Sequence, residues 1–289
     1  MTQLAEQRAT SAGVSLQCGS RTDVGRKRRE NEDSLLASRP VFIVADGMGG
    51  LEAGQRASAA VIAEFQGCVG MPGDHVVAGD VVAAVERAHT MVRAVSDSTG
   101  RGAGSTLTGL VLIDHEDSPQ WLIVNVGDSR VYRLHGGELQ QLTVDHSLAQ
   151  ELIDEGSLLK ADVATFARKN VITRAMGADN SSADYWLRPV VTGERLLVCS
   201  DGLSGELSDE AIKAGLTLGG STQQTADALL AGALEHGGRD NVSVIVIDVI
   251  AGGVNSWHGV AIDDDHSDTI DTRTEDTRPV QRVARNAAS

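Results

Sequence analysis

Apolar positions along this chain follow two rhythms: unbroken runs and helical stripes. Val41-Phe42-Ile43-Val44-Ala45 is apolar on both faces and runs directly into Asp46. Such a run predicts a strand covered from both sides. Gly47, Gly49 and Gly50 follow, and they let the backbone turn sharply and be approached closely. Comparable strands are predicted at Val14 to Cys18, Ser34 to Ala37, Ser105 to Ile113, Trp121 to Val126, Val131 to His135, Glu138 to Leu142, Arg195 to Cys199 and Val242 to Ile250. Ser34 to Ala37 is placed to pair with Val41 to Ala45 across a short turn. Gly136-Gly137 marks a hairpin. Helical spacing appears in Glu52 to Val69, where Ala53, Ala57, Ala60, Val61 and Phe65 share a face. It recurs in Gly79 to Val95, in Leu148 to Glu155 between Ser147 and Gly156, after Ser208, and in Gln223 to His236. Ser157 to Lys169 is polar and irregular, and Asn170 to Met176 resumes structure. Strands, two helices, a strand block, then helices and a closing strand do not alternate as a parallel sheet would. The order fits an α+β fold, antiparallel sheets flanked by helices.

Past Ala251 the apolar pattern dissolves into Asp263-Asp264-Asp265 and scattered Thr, Asp and Arg. The expected organisation is a lead-in over 1–10, one domain over 11–250 and an acidic, disordered tail over 251–289. The formal net charge of -15 argues against a nucleic-acid surface. No apolar run reaches membrane-spanning length and Met1 to Gly13 lacks a signal-peptide core, so the cytoplasm is the expected compartment. Cys18, Cys68 and Cys199 are far apart and odd in number, which speaks against a zinc site or a disulfide framework.

The chemistry lies in the acids. Asp46, Asp128 and Asp201 each follow a predicted core strand, and Asp240 precedes one. Glu32 and Asp33 stand at the start of the strand that neighbours Asp46. Strand ends converge at the edge of a sheet stack, so these carboxylates can meet. Carboxylates crowded together repel and desolvate one another, and divalent cations relieve both penalties. Oxygen-only donors suit Mg2+ or Mn2+. Two such ions can activate a water and neutralise a phosphoryl transition state, and the basic run around Arg28 offers a guanidinium for the phosphate.

Arg28-x-x-Asn31-Glu32-Asp33, Asp46-Gly47-Met48-Gly49-Gly50, Gly104-Ser105-Thr106, Gly127-Asp128-Ser129-Arg130, Asp145-His146-Ser147, Ser200-Asp201-Gly202 and Asp240-Asn241 occur in that order. The set resembles the metal-dependent serine/threonine phosphatases of type 2C, in their bacterial branch. The resemblance spans nearly all of 11–250. It implies a central β-sandwich of two antiparallel sheets with helices outside each, a four-layer αββα arrangement. It implies hydrolysis of phosphoserine and phosphothreonine by metal-bound hydroxide, with two Mn2+ or Mg2+ ions per site and a third, weaker one. Asp46 would bridge the two ions, with the Gly47 carbonyl on one, Asp201 and Asp240 on the other, and Glu32 reaching the shell through water. Arg28 would grip the phosphate, and Asp128 with Asn170 would hold the third ion. The implied partners are phosphorylated proteins and a cognate serine/threonine kinase, with the enzyme itself a monomer. Met48 stands where many animal relatives carry a His proposed as general acid. Phe166-Ala167 replaces the His-Pro common in the bacterial flap. His146 is expected to be structural, bonding locally with Asp145 and Ser147. The rival readings are a non-catalytic phosphoprotein-binding module and a hydrolase of small phosphate esters. Thr269, Thr272, Thr274 and Thr277 in the tail are candidate phosphoacceptors beside a plainer reading as a solvated tail.

Overall fold

The structure, a computed structural model, describes residues 10–11, 13–50, 52–69, 76–100, 102–116, 118–218 and 220–255. The expectations for residues 1–9 and for the tail threonines lie outside the described residues. Two sheets form the centre. One is ordered β1 (Thr10–Ser11), β2 (Val14–Asp23), β12 (Val242–Ala251), β11 (Arg195–Cys199), β8 (Arg130–His135), β9 (Glu138–Gln141). The other is ordered β10 (Asp184–Pro189), β7 (Ser118–Val126), β6 (Leu107–His115), β4 (Val41–Met48), β3 (Asp33–Ser38), with β5 (Gly104–Ser105) pairing the end of β4. All these pairings are antiparallel.

The alternation of side chains explains why the central strands read as unbroken apolar runs. Phe42 and Val44 of β4 face the gap between the sheets, where they meet Leu110, Ile123, Val198, Ile245 and Ile247. Val41, Ile43 and Ala45 face the other way, onto α1 (Glu52–Gln66) and α2 (Ala78–Thr99). Val244 and Val246 of β12 likewise face α5 (Asp209–Leu218) and α6 (Thr222–His236) through Ile212, Leu216, Ala226 and Leu229. Each sheet is thus covered on both faces, so apolar side chains dominate both sides of the strand middles. α6 starts in a capping box, with Ser221 Oγ accepting from Gln224 N–H and Gln224 reaching back to Ser221 N–H.

Several boundaries differ from the sequence expectation. β2 continues past Cys18 to Asp23, because β12 pairs it to its end, Val242 opposite Asp23. β10 is an unanticipated strand. Its Tyr185, Trp186 and Arg188 carry no strong local signal, and pairing along β7 supplies its structure. Over 170–176 the backbone forms only isolated bridges, Ile172 with Ser147 and Met176 with Ser105. The stretch over 157–169, expected to be irregular, holds a 3-10 helix, Lys160–Thr165, and α3 (Leu148–Asp154) stands where a helix was expected.

Candidate metal centre

The acids collect where β4 and β11 end and β3 and β12 begin. Asp33, first residue of β3, lies directly opposite Asp46 in the ladder. The end of β4 is fixed by Thr106: Asp46 N–H donates to Thr106 Oγ1 at 2.9 Å, and Thr106 N–H donates to the Asp46 carbonyl at 2.8 Å. Thr106 Oγ1 also shares a hydrogen bond of 2.9 Å with Ser129 Oγ, which ties the Asp128 turn to the same point. Gly47 N–H donates to the Glu32 carbonyl at 3.2 Å. A Cβ on Gly47 would overlap the Gly54 and Glu32 carbonyls, and one on Gly54 would overlap the Glu32 carboxylate. The glycines at these places let α1 start hard against the β4 turn.

Asp201 opens the single-turn helix α4 (Asp201–Ser204). Ser200, just before it, donates through Oγ to Asp33 Oδ2 at 2.8 Å and accepts from Ser243 N–H at 3.0 Å. Asn241 clamps the loop that carries Arg28: its Nδ2 donates to the Val24 and Glu30 carbonyls, both at 2.9 Å, and its Oδ1 accepts from Glu32 N–H at 2.9 Å. Arg28 Nη2 then reaches Asp240 Oδ2 at 2.6 Å. The Asp-Asn pair before β12 therefore sets both an acid and the arginine loop.

Electrostatics shows how tightly the group is coupled. Burial first, then Asp201 and Asp240 nearby, raise the Asp33 carboxyl to about 7. Burial, then Asp240, raise Asp201 to about 6, while a hydrogen bond with Asp46 pulls it down. Asp46 lies well above the usual carboxylate range through desolvation and the charges of Asp33, Asp201, Asp128 and Asp240. Asp128 is also well above it, through burial and then Asp201 and Asp145. Glu32 is raised by desolvation, with Arg28 opposing. Burial works against the Arg28 charge, but Asp240, Asp46 and Glu32 more than offset it, so its pKa is raised.

Among the described residues no three acids close to the spacing of a finished cage around an ion. What the fold builds is a coupled cluster with unmet acceptors. Glu32 Oε1, Asp33 Oδ1, Asp128 Oδ1 and Asp201 Oδ1 are all buried without a hydrogen-bond partner. Each such oxygen costs about 1–3 kcal/mol, more when charged, and an oxygen-seeking dication satisfies it. The donor set therefore fits Mg2+ or Mn2+.

This arrangement brings together Arg28, Glu32, Asp46, Gly47, Asp128, Asp201 and Asp240. Asn170 is exposed on the turn after the 3-10 helix, next to Val171, whose carbonyl accepts from Leu148 N–H, and no hydrogen bond links it to the cluster. Asp33 was expected among the converging carboxylates but was given no role of its own. Its place beside Glu32 in the Asn-Glu-Asp run was the available signal, but only the cross-strand pairing with Asp46 reveals its part. His146 is buried and tied at long range, not to its neighbours. Its Nδ1 accepts from Gly127 N–H at 3.1 Å, and Nε2 lies 3.0 Å from Asp184 Oδ2. Ser147 instead caps α3, and Asp145 pairs with Arg130 at 2.7 Å.

A family model for protein phosphatase 2C matches residues 26–225, which include every acid of the cluster except Asp240. The chain belongs to the protein phosphatase 2C family. The phosphatase PstP of Mycobacterium tuberculosis is 35% identical over 244 residues, covering 81% of this chain and 45% of that protein. The chain thus spans less than half the length of that relative. The phosphatase Stp of Listeria monocytogenes is 33% identical over 247 residues, 79% of this chain and 94% of Stp. Among solved structures, M. tuberculosis PstP superposes with a TM-score of 0.76 at 34% identity, covering 82% of this chain and 100% of the other. The PstP catalytic domain in complex with two manganese ions gives a TM-score of 0.74 at 34% identity, covering 82% and 99%. This protein phosphatase 2C chain has no described helix long and apolar enough to cross a membrane.

Proposed function

We propose that this chain is a metal-dependent protein phosphatase acting on phosphoserine and phosphothreonine, with its catalytic domain over 11–250. The observation that carries this is the set of buried, unpartnered carboxylate oxygens at one end of the sandwich, beside an arginine. The manganese pair in PstP and the names of the bacterial relatives support it. Asp46 would be the acid shared between two cations, with the Gly47 carbonyl toward one, Asp201 and Asp240 toward the other, and Glu32 reaching the shell through water. Asp128, with Asn170 brought in from its turn, is assigned to a weaker third site. When bound, the ions supply an activated water and neutralise charge building on the phosphoryl oxygens.

The remaining work belongs to the chain itself. Arg28 orients the phosphate with its guanidinium, whose planar fork matches two phosphoryl oxygens. Asp33 and Ser200 hold the β3 and α4 ends at fixed separation, so Asp46 and Asp201 are presented together. The thioether of Met48 cannot give a proton, so the leaving oxygen takes its proton from water. A cognate serine/threonine kinase, a monomeric state and a cytoplasmic setting complete the assignment.

The test is hydrolysis of a phosphothreonine peptide and of p-nitrophenyl phosphate, in Mn2+ and in chelator. Turnover in Mn2+ that chelator abolishes is expected. Absence of turnover on every phosphoester would favour a phosphoprotein-binding module. Activity confined to nucleotide or sugar phosphates would favour a small-ester hydrolase.

A further inference from the structure

The loop that delivers Arg28 carries more positive charge than gripping one phosphate requires. Arg26, Lys27, Arg28 and Arg29 are consecutive and all exposed. Arg28 is paired with Asp240. Among the described residues, Arg26, Lys27 and Arg29 make no ion pair or side-chain hydrogen bond. The chain has 40 acids against 25 Lys and Arg, and its other surface arginines commonly find an acid, as in Arg21–Asp227, Arg87–Glu64, Arg93–Asp179 and Arg239–Glu206.

The loop is also held in place. Asn241 binds the carbonyls at both of its ends, Val24 and Glu30. Arg26 N–H donates to the Gly238 carbonyl at 2.7 Å. Gly25 has φ +78° and sits so close to the Asp240 carbonyl that a Cβ would overlap it. The unpaired cations are thus presented at a fixed distance from the metal centre, on a backbone that does not have to be ordered when a ligand arrives.

From this geometry we infer that the loop over 26–29 is a docking surface for acidic phosphopeptides, selecting phosphosites flanked by Asp and Glu. The inference rests on the phosphatase assignment for its account of the phosphate, and adds the substrate class. A peptide whose phosphate reaches Arg28 lies against the loop that carries it, and acids a few residues away are then within reach of the exposed Lys27 and Arg29. Elsewhere the net charge of -15 repels such a peptide, and the loop reverses the local sign. The same net charge disfavours nucleic acid as the occupant. Electrostatic complementarity of this kind acts on choice of partner and on association rate.

The experiment uses the full chain with Mn2+ and two peptides containing a non-hydrolysable phosphonate analogue of phosphothreonine. One peptide has Asp and Glu at the flanking positions, the other Lys. Binding is read by fluorescence anisotropy at low and high salt, in the wild type and in the double variant Lys27→Glu, Arg29→Glu. The acidic peptide is expected to bind the wild type tighter by on the order of tenfold at low salt, with the preference shrinking at high salt. The variant is expected to lose or invert the ratio. Using a ratio cancels any general weakening of the site. Equal binding of both peptides to the wild type, or an unchanged ratio in the variant, overturns the inference. Hydrolysis of p-nitrophenyl phosphate by the wild type is measured alongside. If it is absent while the acidic preference persists, the catalytic assignment falls and the docking surface stands. If it is present without the preference, the reverse holds.

Discussion

Removing divalent cations should make the stability of this protein fall as pH rises through the neutral range. Asp33 and Asp201 ionise near 3.8 in an unfolded chain, but at about 7 and about 6 in the fold. Their folded pKa values are raised, so the native state holds protons that the unfolded chain has already released. The corresponding stability is fully present below pH 3.8 and is lost as pH climbs through 6 and 7. Taken singly, these displacements correspond to roughly 4 and 3 kcal/mol. The two acids interact, so their contributions do not add in full, and the combined loss is on the order of 5 kcal/mol. For a domain of this size that is a fall in Tm of roughly 10–15 °C. Cations reverse the sign, because they bind the ionised carboxylates and displace the protons. The assay is thermal unfolding followed by circular dichroism at pH 5, 6, 7 and 8, in chelator and in Mn2+. Tm should drop with pH in chelator, and the gain from Mn2+ should be larger at pH 8 than at pH 5. A flat or rising Tm in chelator, or a gain independent of pH, would refute the coupled-carboxylate account.

Other outcomes follow from single contacts. Asp46→Asn should lower kcat by about a thousandfold or more while raising Tm in chelator, since it removes an acid whose ionisation burial and its neighbours oppose. Wild-type turnover in this variant would sink the shared-ligand assignment. Arg28→Met should lower kcat/KM for phosphopeptides by roughly 10- to 100-fold, about 1.5–3 kcal/mol of lost charge-assisted phosphate binding, measured by steady-state kinetics. Gly54→Ala would place a methyl against the Glu32 carboxylate. Weaker Mn2+ binding by calorimetry is expected, with the helix content of α1 retained. Ser200→Ala removes the hydroxyl that bridges Asp33 Oδ2 and Ser243 N–H. Leaving both buried should cost about 1–3 kcal/mol in urea unfolding.

The sequence alone determined the strand middles and the catalogue of acids. Val41 to Ala45 and Val242 to Ile250 are legible because a strand covered on both faces is apolar at nearly every position, Ser243 and Asp248 being the exceptions in the second run, a constraint most residues obey one by one. The ordered motifs from Arg28 to Asn241 pointed to the family for a similar reason: each sits at a fixed place relative to its own strand end. What only the tertiary structure decided was which groups meet across the fold. β10 exists because β7 offers it an edge. The part played by Asp33 depends on its register opposite Asp46 and on the Ser200 hydroxyl. His146 bonds to Gly127 and Asp184, not to its chain neighbours. The clamp of Asn241 on the Arg28 loop joins residues more than two hundred positions apart. Local pattern carries no record of such pairings, because their free energy arises from burial and mutual charge that exist only once the two sheets have closed on one another.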